Sequence, residues 1–124
     1  MTLIEAINSI DGLKPNTYTP SEKIKWLSTL DGMIKRDIID THEPGETEIE
    51  FNGYTDDTPM NTELIVGSPY EDIYTTWLES KIDYSNSEYI KYNNSITRFN
   101  DIFQNFRNYY NRTHMPLGVG IKYY

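Results

Sequence analysis

The sequence predicts a mainly α, four-helix bundle-like domain with a small β-hairpin or extended loop between the second and third helices. Three observations predict it. A hydroxyl residue followed three positions later by Glu, the chemistry that caps a helix start, recurs four times along the chain. Apolar residues at helical spacing follow each of these starts. Only the stretch of about 46–67 breaks the pattern, with short alternating runs and turn residues.

The first start is Thr2 with Glu5, and Leu3, Ile7 and Ile10 form a short stripe closed by Gly12 and Pro15. In the second, Thr19-Pro20-Ser21-Glu22, proline stands at the first helical position, where its missing N–H costs nothing. Ile24, Leu27, Met33 or Ile34, and Ile38 continue it, widened by Trp26, Leu30 and Ile39, to about Thr41 before Pro44 and Gly45. Thr47 to Phe51 then alternates polar and apolar, Asn52-Gly53 signals a turn, and Glu63 to Val66 is a second β-like run. Ser68-Pro69-Tyr70-Glu71 opens a third helix with Ile73, Trp77, Leu78 and Ile82 as its buried stripe. Ser85 to Glu88 reads as another capping box, with a break near Tyr84 and a fourth helix from about Asn86. Along that helix Ile96, Phe99, Phe103, Phe106 and Tyr110 step by three and four, an apolar seam that ends before Pro116. The organisation is one helical domain over about 1–116 and a C-terminal tail over 117–124, short, apolar and interrupted by glycine.

A chain of 124 residues is the length of one domain. Its net charge is −8, with no cluster of Lys or Arg, so it lacks the footprint of tight, general nucleic-acid binding. Cysteine is absent, which removes disulfides, a thiol nucleophile and cysteine metal sites. No apolar run approaches the roughly 20 residues of a membrane span, and the N-terminal stretch has no signal-peptide character. The expectation is a cytoplasmic protein. Eleven tyrosines bring the aromatic content to 14%, and tyrosine suits half-buried positions and protein interfaces.

Candidate reactive sites find little support. His42 and His114 follow helix ends, where the helix dipole favours a cation, and no HExxH spacing surrounds them. Asp56, Asp57, Asn61 and Glu63 lack the order of a calcium loop and read as a solvated acidic loop. No G-x-S-x-G or phosphate-loop pattern occurs, so the sequence predicts no enzyme, no catalytic residue and no cofactor or metal. The first two helices are not a convincing helix-turn-helix, because the second mixes Lys23, Lys25, Lys35 and Arg36 with four acids. The fourth helix is rich in asparagine, a mediocre helix former. Hydrogen bonding across a helix or subunit contact explains this, and so does compositional drift in an AT-rich genome.

What remains is protein binding. The residues expected at an interface are Tyr54 and Tyr109, together with Leu117, Val119, Ile121, Tyr123 and Tyr124 of the tail. An apolar tail left in water is unusual, so it either folds back as an edge strand or docks on another subunit.

Several compound patterns also carry a resemblance. They are Leu13-Lys-Pro-Asn16, Glu22-Lys-Ile-Lys-Trp-Leu-Ser28 with Leu30-Asp-Gly32, and Ile38-Ile-Asp-Thr-His-Glu43. Further on come Thr62-Glu-Leu-Ile65, Pro69-Tyr70, Trp77-Leu-Glu79, Tyr92-Asn-Asn-Ser95 with Phe99-Asn100, and Tyr109-Tyr-Asn-Arg-Thr-His-Met-Pro116. With these the chain resembles small proteins encoded beside the capsid genes in prophages of Firmicutes, which look like head–tail connector (adaptor, or head-completion) proteins. The resemblance implies a subunit of a homo-oligomeric ring, dodecameric when assembled, beneath the portal protein and above a tail-side connector or tail protein. It implies a DNA passage that does not bind DNA tightly, no membrane, and a location in the host cytoplasm during assembly and then at the head–tail junction of the virion. It also implies a C-terminal segment that reaches a neighbouring ring. It transfers no catalytic residue. The alternative reading is a small regulatory or scaffold-type binding protein acting as a monomer or dimer.

Overall fold

The computed structural model describes residues 1–43 and 49–117. It contains four α-helices: α1 (Leu3–Leu13), α2 (Pro20–Asp37), α3 (Asp72–Ser85) and α4 (Tyr89–Thr113). A single 3₁₀ turn, Ile39–Thr41, follows α2. The chain is therefore mainly α and bundle-like, as the apolar periodicity predicts.

The first two starts are built as their local chemistry dictates. Thr2 Oγ1 accepts the Glu5 N–H, and Glu5 Oε1 accepts the Thr2 N–H at 2.9 Å, which closes the capping box. Thr19 Oγ1 accepts the Glu22 N–H at 3.2 Å, with Pro20 in the first turn.

The other two starts differ from the sequence expectation. α3 begins at Asp72, and its N-cap Glu71 makes no side-chain cap bond. Between α3 and α4 the Ser85–Glu88 box does not form, because these residues close α3 instead. Ser87 takes a left-handed φ of 59°, its N–H donates to Tyr84 O, and the Glu88 N–H donates to Asp83 O. Those two bonds satisfy carbonyls that the helix end would otherwise orphan, in the arrangement that usually places glycine at the left-handed position. Ser87→Gly is accordingly expected to stabilise the protein by roughly 1 kcal/mol, by relieving the left-handed penalty. Chemical denaturation of the two proteins checks this.

The hairpin does not form among the described residues. Thr47 and Glu48 of its first arm lie outside them, and Ile49 to Phe51 belongs to no strand. The second arm pairs elsewhere: Glu63 forms an isolated antiparallel bridge with Thr2, Leu64 N–H donates to Met1 O, and Leu3 N–H donates to Thr62 O. The N-terminal strand-like stub supplied the better partner, so the extended-loop form of the expectation is the one the chain adopts. α2 also stops short of Thr41, at Asp37, before the 3₁₀ turn.

α3 is the central helix. It packs against α1, α2 and α4, and it buries Ile73, Tyr74, Trp77, Leu78 and Ile82 on more than one side. The Trp77 ring lies against Phe99 of α4, and its Nε1–H donates to Trp26 O of α2 at 2.8 Å. Among the helices α4 touches α3 alone. Its buried stripe is correspondingly narrow, Ser95, Phe99, Phe106 and Tyr110, with Ile96, Ile102 and Phe103 half-covered beside it. Polar ties cross the same seams. Lys14, the C-cap of α1, and Ser95 of α4 both donate to the buried carboxylate of Asp83 in α3, and buried Lys23 pairs with Asp11 at 2.6 Å. Hydrogen bonding by Lys23 holds the Asp11 carboxyl below its usual range.

Candidate interaction surface

Two buried polar clusters shape the surface around them. The first is Asp31, which is fully buried in α2 and faces no cation. Its oxygens accept the Tyr54 hydroxyl at 2.6 Å, the Tyr74 hydroxyl at 2.7 Å and the Ile65 N–H at 3.2 Å. The Tyr74 oxygen in turn accepts the Val66 N–H at 2.7 Å. A few residues away Ser28 Oγ accepts the Tyr54 N–H, next to Gly53, whose φ of 90° suits glycine. Together these bonds hold the long connection against α2 and α3. Burial pushes the Asp31 carboxyl up, and the three donors oppose that shift. Burial, then the charge of Asp31, pushes both phenols above their ordinary value. Perturbed titratable groups of this kind often mark reactive sites. Here they are bonded to one another inside the core, and their chemistry is that of a clamp.

The second cluster lies where the chain leaves α2 and α4. His42 is buried, with Nδ1 donating to Ile38 O at 2.6 Å and Nε2 paired with the Asn111 carboxamide at 2.7 Å. Tyr110 stacks parallel to His114 at 3.8 Å between ring centres and meets His42 edge-on. An antiparallel bridge joins His42 to Pro116, and the Leu117 N–H donates to Thr41 O at 3.0 Å. The backbone is thus fixed up to Leu117. His42→Ala removes the bonds to the Asn111 amide and to the Ile38 carbonyl, which keeps the Thr41 hydroxyl as donor, with an expected cost of about 1–2 kcal/mol. Hydrogen exchange of the last turn of α4, faster in the variant, checks it.

The residues expected at an interface divide accordingly. Leu117 is 54% exposed and Tyr109 is exposed on the same end of α4, beside exposed Met115. Next to them Ile39, Ile49, Ile65, Tyr70, Phe106 and Tyr110 line a pocket of about 240 Å³. Tyr54 is half-buried, and its hydroxyl is committed to Asp31. Val119, Ile121, Tyr123 and Tyr124 lie outside the described residues.

Sequence reasoning missed a second exposed apolar patch, at the α3–α4 corner. There Ile90 is 81% exposed, and Tyr84 and Tyr89 are each more than half exposed. The signal was available, because Ile90 stands nine residues before Phe99 and so half a turn away from the buried stripe. The two patches occupy opposite ends of a helix of 25 residues, about 37 Å long.

No protein-family model, curated protein or solved structure matches the chain. Among the described residues no three His, Cys, Asp or Glu side chains gather to hold a metal ion. Asp56 instead accepts from Ser21 Oγ at 3.1 Å, and Glu63 pairs with the Met1 amino group at 3.2 Å. No described helix is long and apolar enough to cross a membrane.

Proposed function

We propose that this chain is a structural subunit of a phage head–tail connector, without enzymatic activity, that assembles as a ring under a portal protein and lines a passage for DNA. The observation that carries the reading is the pair of different apolar patches at the two ends of α4, neither covered by the described chain. A ring needs two unlike surfaces on each subunit, each meeting the other kind on a neighbour. A monomer that works alone gains nothing from either patch, and both add to its aggregation hazard. The compound sequence resemblance points the same way. The net charge of −8 suits a wall past which DNA must slide without adhering.

The C-terminal tail is the part of the chain assigned to docking on the next component of the stack. Truncation after Leu117 is expected to leave the helical domain folded, since the described core and the Leu117–Thr41 bond are retained. Binding to the portal assembly should then fall by at least about tenfold, or about 1.4 kcal/mol. Thermal unfolding of the truncated chain and its co-sedimentation with portal rings separate the two effects. Loss of the fold, or undiminished binding, contradicts the assignment.

A further inference from the structure

Charge is segregated in this molecule. From Glu43 to Asp72 the chain holds nine acidic residues and not one Lys or Arg, whereas α4 carries Lys91, Arg98, Arg107 and Arg112 against Asp101 alone. On the connection, Glu50, Asp56, Asp57 and Glu63 are exposed. Glu50 and Glu63 line one cavity of about 430 Å³ with Thr58 between the arms. On α4, Arg107 and Arg112 pair with no carboxylate among the described residues, and the buried Nε of Arg107 has no hydrogen-bond partner among them. The connection is tied to α2 by Ser21, Ser28 and Asp31 and borders α4 through apolar residues, and no ion pair joins the two charged surfaces within one copy among the described residues.

The open side of α4 is also covered with amides. Asn93, Asn94, Asn100 and Asn105 are exposed and make no side-chain hydrogen bond among the described residues. Residues with poor helix propensity occupy the exposed side of the longest helix, where nothing in the fold requires them. Amide N–H₂ groups and guanidinium groups are donors suited to carboxylates.

We infer that the outer face of α4 docks on the acidic connection of a second copy of this chain, Arg107 and Arg112 with the neighbouring asparagines facing Glu50 and Asp57. The contact is heterologous and so propagates from copy to copy. It deepens the connector reading by naming the two halves of the subunit contact, but it needs no portal to be tested. A phosphate backbone is the less favoured occupant. Lys91 is paired with Glu88 and Arg98 with Glu79, which leaves too few free cations for the salt-releasing binding that nucleic acid requires.

The experiment is sedimentation velocity on the full chain at low salt, with two variants. Asn105→Glu/Arg112→Glu blocks α4 and leaves the acidic surface whole; Glu50→Gln/Asp57→Asn does the reverse without creating a cationic surface that the blocked α4 could pair with. All four positions are exposed, and circular dichroism should show unchanged helix content. The wild type is expected to associate with rising concentration and to dissociate as salt rises. Each variant alone should associate at least tenfold more weakly. An equimolar mixture should form a one-to-one complex and nothing larger, because it retains one intact half from each chain. A wild type monomeric throughout, or variants that associate like the wild type, overturns the contact. So does a duplex oligonucleotide that binds α4 and competes with self-association. A chain that stays monomeric yet binds portal rings would sink this contact and leave the connector reading standing; a self-associating chain that ignores the portal would do the opposite.

Discussion

Replacing Asp31 by alanine is expected to destabilise the protein by about 3–5 kcal/mol, the range found when one side of a buried charged network is removed. Three donors lose their acceptor at once, the buried hydroxyl of Tyr74 and, both part-buried, the hydroxyl of Tyr54 and the N–H of Ile65. Each orphaned group costs roughly 1–3 kcal/mol, and the relief of carboxylate desolvation offsets part of the sum. Against a total stability of roughly 5–15 kcal/mol, this brings the chain near the edge of folding. The connection should loosen first, since it is anchored there. Asp31→Asn keeps the shape and one acceptor and should cost about half as much. Urea denaturation followed by circular dichroism, with hydrogen exchange at Ile65 and Val66, checks both variants.

The same residue sets a pH dependence. Its folded pKa is raised, chiefly by burial, so the native state holds the proton more tightly than the unfolded chain does. The stability this contributes is fully present below the unfolded carboxyl value of about 3.9 and is lost as pH rises through the raised folded value. Asp11 and Asp37 work in the other direction. Hydrogen bonds from Lys23 and Arg36 lower them, and their contribution is lost as pH falls through the depressed values. The stability gap between wild type and Asp31→Asn should therefore be widest in acid and narrow towards neutrality.

Trp77→Ala should be the most damaging apolar truncation, at about 3–5 kcal/mol. The indole ties three helices together: it lies in α3, donates to Trp26 O of α2 and packs on Phe99 of α4. Lys81 lies 4.5 Å over its face as well. Because α4 is held by α3 alone among the helices, its loss is expected to free α4 before the rest unfolds. Amides of α4 should exchange faster than those of α1 in the variant. Trp77→Phe keeps the ring contact and loses only the hydrogen bond, with an expected cost of about 1 kcal/mol.

How much of this was legible in the sequence depended on the range of the interaction. The caps at Thr2 and Thr19 act over three residues, and the α4 stripe repeats every three or four, so both could be read locally. Ser85 to Glu88 spells a start but serves as an end, because a hydroxyl–Glu spacing does not reveal that Ser87 will take a left-handed φ. The β-like run at Glu63 to Val66 was recognisable as extended. Its partner was not, since it lies some sixty residues away at Thr2. Asp31 looked like one more acid on the polar side of a helix. Its three donors stand 23, 34 and 43 residues away, and no local pattern connects them. The inward bond of the Tyr54 hydroxyl was equally hidden, because the loop around it is polar and its acceptor lies on another element. The asparagines of α4 divide in a way propensity could not foretell. Asn111 pairs with His42 and Asn108 with Gln104, and the remainder face outward.

Native mass spectrometry of the full chain, alone and mixed with a phage portal protein, tests the connector assignment most directly. Ring-forming subunits should add to the portal assembly in multiple copies, up to one per portal subunit, and the addition should disappear when both α4 patches are made polar by Ile90→Ser and Leu117→Ser. A chain that remains a strict monomer in both samples contradicts the assignment.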